Sequence, residues 1–342
     1  MDVREALTAI SIGRTLTRDE AESAMGSVMA GEATPAQLGA LLAALHVRGE
    51  TVDEIAGFAA AMRDASVRVS IPDGAIDTCG TGGDRSGTFN ISTVAAIVAA
   101  SAGARVAKHG NRAASSACGS ADVLEALGVR IDLGPEAVAA CIAETGIGFM
   151  FAPRYHPAMK HAGPVRREIG IRTVFNVLGP LANPARVRRH VLGVPSPALG
   201  PVMARALAEL GAEHALVVHG GGIDEIDPSG PTQVWEVRDG RVEESVLDPV
   251  SQGAALASRD AITGGDPRRN ADIARAVLEG TDGGARAAVI LNAGAALYVA
   301  AVADSVREGV ALARAAIASG ASRATLERLV ATSQRLGEAV AP

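Results

Sequence analysis

The sequence predicts an α/β protein with a small all-helical domain at its N-terminus and a mostly parallel central sheet. Three observations lead there. The first 54 residues carry three capping boxes, each followed by apolar residues at helical spacing. From about residue 72 short apolar runs alternate with helical stretches, the pattern of parallel strands covered by helices. Between two such runs lies DTCGTGGDRSGTFNIST, Asp77 to Thr93, where a strand-like lead-in passes through four glycines into a helix-like pattern.

In chain order, residues 1–70 read as helix throughout. Thr17 with Glu20, Thr34 with Gln37 and Thr51 with Glu54 each offer a hydroxyl to a free first-turn N–H and an acceptor that reaches back. Pro35 falls in a first turn, where proline costs a helix nothing. Leu38, Leu41, Leu42 and Leu45 then mark one buried face. Strands are expected at 75–79, 105–107, 148–151, 190–194 and 215–219, and helices at 92–102, 120–127, 135–145 and 199–210. Residues 232–237 and 241–247 flank Asp239-Gly240, a two-residue hairpin turn. Beyond about 270 the pattern is helical to the end. Two further helices, 157–170 and a short 172–181 closed by Gly179-Pro180, interrupt the alternation. They are expected to leave the α/β domain and pack on the N-terminal helices. The domains are therefore drawn as 1–70, completed by about 157–185, and 71–156 with 186–342.

Composition narrows the function. A chain of 342 residues with 48% hydrophobic and 20% charged residues buries a substantial core. Aromatics are only 2%, too few for base-stacking platforms, and the net charge of −6 offers no footprint for a polyanion. Nucleic acid is thus not an expected partner. Cys79, Cys118 and Cys141 form no CxxC pair, and the odd count suits reduced thiols in a cytosol. MDVREALTAI lacks the basic-then-apolar order of a secretory signal, and no stretch reaches the roughly 18 apolar residues of a membrane span. A cytoplasmic protein with no membrane partner is expected.

The chemistry concentrates in two loops. Gly80, Gly82, Gly83 and Gly87 permit positive φ and close backbone approach. Amides in such a turn, followed by a helix N-terminus, bind anions. Thr88, Asn90, Ser92 and Thr93 add short donors. Arg85 breaks the dinucleotide fingerprint and Thr88 breaks the Walker pattern, so neither motif is present. The plain alternative is a turn that merely needs glycine. After the next strand comes KHGNRAASS, Lys108 to Ser116, with two cations, an imidazole, an amide and two serine hydroxyls. Consecutive strands are usually neighbours, so the two loops should flank one multiply phosphorylated ligand. A solvated polar loop, with His109 a structural histidine, is the competing view.

DTCGTGGD, FNIST, KHGNRAASS, GSADVLEALG, HPAMKHAGPVRREIGIRTVFNVLGPLANP and GGIDEI occur in this order. With these motifs the chain resembles the anthranilate phosphoribosyltransferase family from end to end. The resemblance implies a nucleoside-phosphorylase-like (class III phosphoribosyltransferase) fold, a homodimer through the helical domains, and a magnesium-dependent pentosyl transfer from phosphoribosyl pyrophosphate to anthranilate in tryptophan biosynthesis. It assigns the phosphoribosyl pyrophosphate site to Gly80, Gly83, Asp84, Thr88, Asn90, Ile91, Ser92 and Thr93, with Lys108, His109, Gly110, Asn111, Arg112, Ala113, Ala114, Ser115, Ser116 and Ser120. Anthranilate falls to Gly80, Asn111 and Arg166, and Mg2+ to Ser92, Asp224 and Glu225. No covalent intermediate is expected, and no residue is assigned as a catalytic acid, base or nucleophile. Closure between the domains should exclude water from the cleft.

The residues accord with these roles without requiring them. Asp224-Glu225 follows a strand and three glycines and offers the few carboxylates magnesium takes beside substrate phosphates, though a surface acid pair is ordinarily just solvated. Arg166 has the planar fork that matches a carboxylate, or is ion-paired along its helix near Arg167 and Glu168. Three features depart from the family: Cys118 sits where small polar residues are expected and is open to oxidation, the segment Ile226-Asp227-Pro228-Ser229-Gly230 after Glu225 is less recognisable, and Gly220-Gly221 implies a loose approach to Asp224. A pyrimidine nucleoside phosphorylase would share the architecture but carry a KHSTGG-like loop; the chain has CGTGGD. A nucleic-acid-binding paralogue would lack the Asn111 and Arg166 contexts and show a basic groove.

Overall fold

The computed structural model describes residues 1–113 and 116–338. Four helices open the chain: α1 Val3–Ser11, α2 Arg18–Ala30, α3 Pro35–Arg48 and α4 Val52–Asp64. Thr17, Thr34 and Thr51 all cap as expected, accepting the N–H of Glu20, Gln37 and Glu54 at 3.3, 3.2 and 3.3 Å. A fourth box, Asp2 with Glu5, starts α1. Glu54 also anchors the bundle. Its fully buried carboxylate accepts the N–H of Leu16 and of Thr51, both at 2.9 Å, and pairs with Arg48. A buried charge is tolerated only with such partners.

The remainder is built on a seven-stranded sheet. It comprises β1 Ile76–Gly80, α5 Ile91–Ser101, β2 Val106–Gly110, α6 Ser120–Ala126, α7 Pro135–Thr145, β3 Ile147–Phe151, α8 Ala152–Tyr155, α9 Met159–Ile169, α10 Phe175–Leu178, β4 Arg189–Gly193, α11 Gly200–Glu209, β5 His214–His219, β6 Thr232–Arg238 and β7 Arg241–Leu247. Helices α12 Pro267–Leu278, α13 Gly284–Val299, α14 Val306–Ala318 and α15 Ala321–Glu338 follow. The strand order is β3-β2-β1-β4-β5-β6-β7. The first five strands are parallel, and β6 and β7 are antiparallel. The hairpin turn is where expected, with Asp239 at φ 50° and Gly240 at φ 74°.

One boundary differs in a way that matters. The second strand was expected to stop at Ala107, yet Lys108 and His109 lie inside β2, in register with Phe149 and Met150 of β3. Polar residues hide the strand in the sequence; backbone pairing with β3 extends it.

The topology fixes where a ligand can sit. From β1 the chain steps outward to β2 and β3, then returns to place β4 on the other side of β1. The crevice beyond the carboxyl end of β1 is thus the point where the winding reverses, the usual ligand position in open α/β sheets. The glycine run begins there.

Two apolar layers sandwich the sheet. Helices α5 and α13 pack on one face, around Val94, Val98, Ile290, Val191 and Leu216. The other face carries Leu192, Val194 and Val217, which share one buried cluster with α11 and the N-terminal bundle. Ala162 and Val165 of α9 and Phe175 of α10 join that cluster, so the 157–181 excursion packs against the N-terminal helices. Among the described residues no helix is long and apolar enough to cross a membrane.

Candidate active site

The glycine run leaves β1 at Gly80 and reaches α5 at Ile91. Gly82, Gly83 and Gly87 take positive φ, 66°, 84° and 69°. Gly80 does not, contrary to the sequence expectation. It must be glycine because a Cβ there would overlap the Asp224 carboxylate. Gly83 is doubly constrained: besides its φ, a Cβ would overlap the Arg172 guanidinium. The turn that precedes α5 is stitched to a distant segment. Phe89 N–H donates to Ile262 O at 3.1 Å and Gly264 N–H to Gly87 O at 2.8 Å.

Two of the amides in this region are taken up by carboxyl groups of the protein itself. Gly82 N–H donates to Asp224 Oδ2 at 2.8 Å, and Ser92 N–H, in the first turn of α5, donates to Glu225 Oε1 at 3.0 Å. Asp84 joins them, accepting the Asp224 N–H at 3.3 Å and the Ser86 hydroxyl at 2.7 Å. Burial, then the neighbouring carboxylates, hold Asp224 and Glu225 well above the ordinary carboxylate range. Lys108 opposes this at Glu225. It is 2% exposed and donates through Nζ to Thr78 O. Asp224 and Glu225, two crowded carboxylates with raised proton affinity, offer the oxygen donors that a hard divalent cation prefers. Among the described residues no three histidine, cysteine or acidic side chains form a closed metal cage, so such an ion would need oxygens from a ligand as well.

The turn that delivers these acids is firmly held, where the sequence had suggested a loose approach. Gly220 N–H donates to Ile223 O at 3.0 Å and Gly222 N–H to His219 Nε2 at 3.2 Å. Arg259 caps the turn through Gly220 O, Gly221 O and Asp227 at 2.9, 2.6 and 2.7 Å. Beneath, Asn292 of α13 clasps Ile226 from both sides, accepting its N–H and donating to its carbonyl, each at 3.0 Å.

At the end of β2, His109 N–H donates to Asp77 Oδ1 at 3.3 Å, and Asn183 donates to the other oxygen at 2.8 Å. Burial raises Asp77 to about 6 despite Lys108. Burial, then His156, drives His109 down to about 3, and burial takes His156 to about 4. Both imidazoles are therefore neutral near pH 7. Their centroids are 5.0 Å apart, and each has a buried Nε2 without a partner among the described residues. His156 was not anticipated, although the His156-Pro157 pair opening the long motif was its signal.

Beyond β2 the loop divides. Asn111 is exposed; its carbonyl takes the Ala121 N–H at 3.1 Å and the Ser120 hydroxyl at 3.3 Å. Arg112 turns toward α6, pairing with Asp122 and Glu125 at 2.9 and 2.8 Å and lying 5.6 Å over the Phe151 ring. Ala113 N–H is held by Asp122 at 2.9 Å. Gly110 lies against the Ser120 hydroxyl, where a Cβ would overlap. Ser116 is exposed, and Ala114 and Ser115 lie outside the described residues. Thr88 bridges to Thr263, Ile91 is fully buried and offers only backbone, and Thr93 is buried with an unpartnered hydroxyl. Cys118, expected to be oxidisable, is 8% exposed, and burial pushes its thiol up to about 11. It has neither the access nor the thiolate for ready oxidation.

Arg166 lies on α9, half-buried, with its guanidinium 5.1 Å over the Phe175 ring. Among the described residues it has no carboxylate partner, so the ion-paired alternative is not realised; burial lowers its pKa. Six residues on, Arg172 donates to Gly82 O at 3.2 Å. The α9–α10 connection thus leans on the glycine run.

A seven-stranded, largely parallel sheet with an N-terminal helical bundle and a glycine run at the reversal point is the architecture of a glycosyltransferase class. The chain matches the "Glycosyl transferase family, helical bundle domain" over residues 4–66 and the "Glycosyl transferase family, a/b domain" over residues 73–323. Within that class it belongs to the anthranilate phosphoribosyltransferase family. It is 56% identical over 342 residues to the anthranilate phosphoribosyltransferase of Chloroflexus aggregans, covering 99% of this chain and 100% of that one. With that of Rubrobacter xylanophilus it shares 55% over 336 residues, 98% of each chain. Among solved structures, the enzyme from Thermus thermophilus superposes with a TM-score of 0.92 at 48% identity, covering 98% of this chain and 100% of that one. The Saccharomyces cerevisiae enzyme in complex with PRPP and Mg gives 0.89 at 28%, covering 97% and 98%. The fold is the nucleoside-phosphorylase-like one that the resemblance implied.

Proposed function

We propose that this chain transfers the 5-phosphoribosyl group of phosphoribosyl pyrophosphate to the amine of anthranilate, with release of pyrophosphate, the second step of tryptophan biosynthesis from chorismate. The observation that carries this is the inward-facing pair of amides, Gly82 and Ser92 N–H, beside buried Lys108 and at the reversal point of the sheet. These donors fix Asp224 and Glu225 beside the glycine run and the N-terminus of α5, where a helix start favours phosphate.

In this reading Gly83, Asp84, Thr88, Asn90, the first turn of α5 and the Lys108–Ser120 stretch surround the donor. Ser92, Asp224 and Glu225 would hold magnesium, which when bound neutralises charge building on the departing pyrophosphate. As the bond to pyrophosphate lengthens, the ribosyl C1 gains oxocarbenium character, and the fixed amides stabilise the leaving charge. Arg166, lacking an internal carboxylate, is available to receive that of anthranilate in a bidentate pair. Asn111 and Gly80 are assigned to the same acceptor, and in this reading the amine meets C1 by proximity and orientation. Neutral His109 and His156 add no charge that would compete with the oxocarbenium centre. In this reading no covalent intermediate forms: the amine displaces pyrophosphate from C1 directly and gives up one N–H proton to solvent.

The same reading includes a homodimer through the helical domain and a cytoplasmic location. The decisive experiment follows anthranilate fluorescence with and without phosphoribosyl pyrophosphate and magnesium. Consumption only when both are present is expected. Phosphorolysis of thymidine without phosphoribosyl transfer would overturn the assignment.

A further inference from the structure

Asn270, on the first turns of α12, is 2% exposed and contributes to no motif named above. Its side chain nevertheless lies in a chain of hydrogen bonds that crosses the back of the site. Cys118 O accepts from Asn90 Nδ2 at 3.1 Å. Asn90 Oδ1 accepts from Asn270 Nδ2 at 2.9 Å. Asn270 Oδ1 accepts from Gly265 N–H at 2.7 Å. The adjoining residue, Gly264, is the one that donates to Gly87 O in the glycine run.

The direction of this relay is forced. A carbonyl only accepts, so Asn90 must turn its NH2 to Cys118. That leaves its oxygen for Asn270, which must turn its own NH2 toward it. The remaining oxygen of Asn270 meets a backbone N–H, which only donates. No other arrangement of the two amides satisfies all four groups, and a buried amide left unpaired is costly. Three segments with no covalent proximity are thereby fixed together: the start of α5, the loop before α6, and the strap that closes over Gly87.

We propose that Asn270 is a positioning residue of the phosphoribosyl pyrophosphate site, fixing the orientation of the Asn90 amide and the seating of the glycine run against both neighbouring loops. This rests on the function proposed above. Asn270 itself touches no substrate. Asn90 keeps one Nδ2 proton outside the relay among the described residues, and the relay sets where it points.

The test compares Asn270→Asp, Asn270→Ser and Asn90→Ala, alone and combined, by steady-state kinetics on both substrates and by equilibrium binding of phosphoribosyl pyrophosphate with magnesium. Asp is nearly isosteric but, ionised, opposes an acceptor to Asn90 Oδ1. Ser is smaller but still donates. The relay therefore predicts the order wild type, Ser, Asp. Asn270→Asp should lose about 10- to 100-fold in kcat/KM for the donor, with the KM for anthranilate changed less than about threefold. Asn270→Ser added to Asn90→Ala should cost little more than Asn90→Ala alone, because the two share one relay. A space-filling role would give the opposite order, Asp better than Ser, with both substrates affected alike. That order, or full additivity with Asn90→Ala, overturns the proposal. If Asn270→Asp does not fold, the Ser and Ala series decides by additivity alone. Wild-type protein that neither binds nor consumes the donor refutes the function, whereas a competent wild type with indifferent variants refutes only the relay.

Discussion

Arg166→Ala isolates one contact whose size follows from the site. The guanidinium lies over Phe175 at 5.1 Å and has no carboxylate partner among the described residues. Stacking on Phe175 is present before and after binding, so it cancels. What truncation removes is a charge-assisted, bidentate pair with the anthranilate carboxylate, worth about 1.5–3 kcal/mol. At 1.4 kcal/mol per decade this weakens anthranilate by about 10- to 150-fold. Donor affinity should change by less than about threefold, because the Gly82 and Ser92 amides remain in place. Arg166→Lys should fall between, since a point charge keeps attraction but loses the fork. The assay is anthranilate binding by its own fluorescence, with donor KM and kcat measured in parallel so that affinity is not inferred from KM alone. Equal losses for the two substrates, or none for anthranilate, would refute the assignment of Arg166.

Two further outcomes are expected. Asp224→Asn with Glu225→Gln keeps acceptors for Gly82 and Ser92 while removing two crowded charges. The double variant should melt higher than wild type without ligand at pH 8 and lose both the stabilisation and the turnover that magnesium confers with the donor; an unaltered magnesium response would remove these acids from the site. His190 is fully buried, bonded only through Nε2 to Val187 O at 3.0 Å, and held down to about 3 by burial. Its folded value lies below the unfolded one of about 6.5. Its contribution is thus intact above that pH and is lost as pH falls toward 3, costing about 2 kcal/mol at pH 5. Relative to wild type, His190→Gln should gain that amount between pH 7.5 and pH 5 in urea melts. A pH-independent difference would show that the ring titrates alike in the folded and unfolded chain.

How much could be seen beforehand depends on what signal each feature leaves in the chain. The parallel strands were legible because burial on both faces makes them short apolar runs, and the threonine caps because their partners lie three residues away. The end of β2 was not, since Lys108 and His109 look like loop residues until β3 pairs with them. The glycine run was visible through composition, but the reason for Gly80 was not, because Asp224 arrives from a turn far along the chain. Asn270, Asn292 and Arg259 left no signal. Each acts on backbone or side chains remote in sequence, as with the 180 residues between Asn270 and Asn90. Single residues that work by tertiary contact carry no periodicity and no spacing to read.

The buried cluster that runs from the N-terminal bundle through α11 onto Leu192, Val194 and Val217 has a consequence for the energetics of the whole chain. A cut between the two family segments, in the stretch from 67 to 72, would leave a wet hydrocarbon wall on each fragment. Neither piece would stand alone. Melting the first four helices therefore strips the floor from the strands that frame the crevice, and damage as distant as Leu42 is felt as lost grip on the sugar.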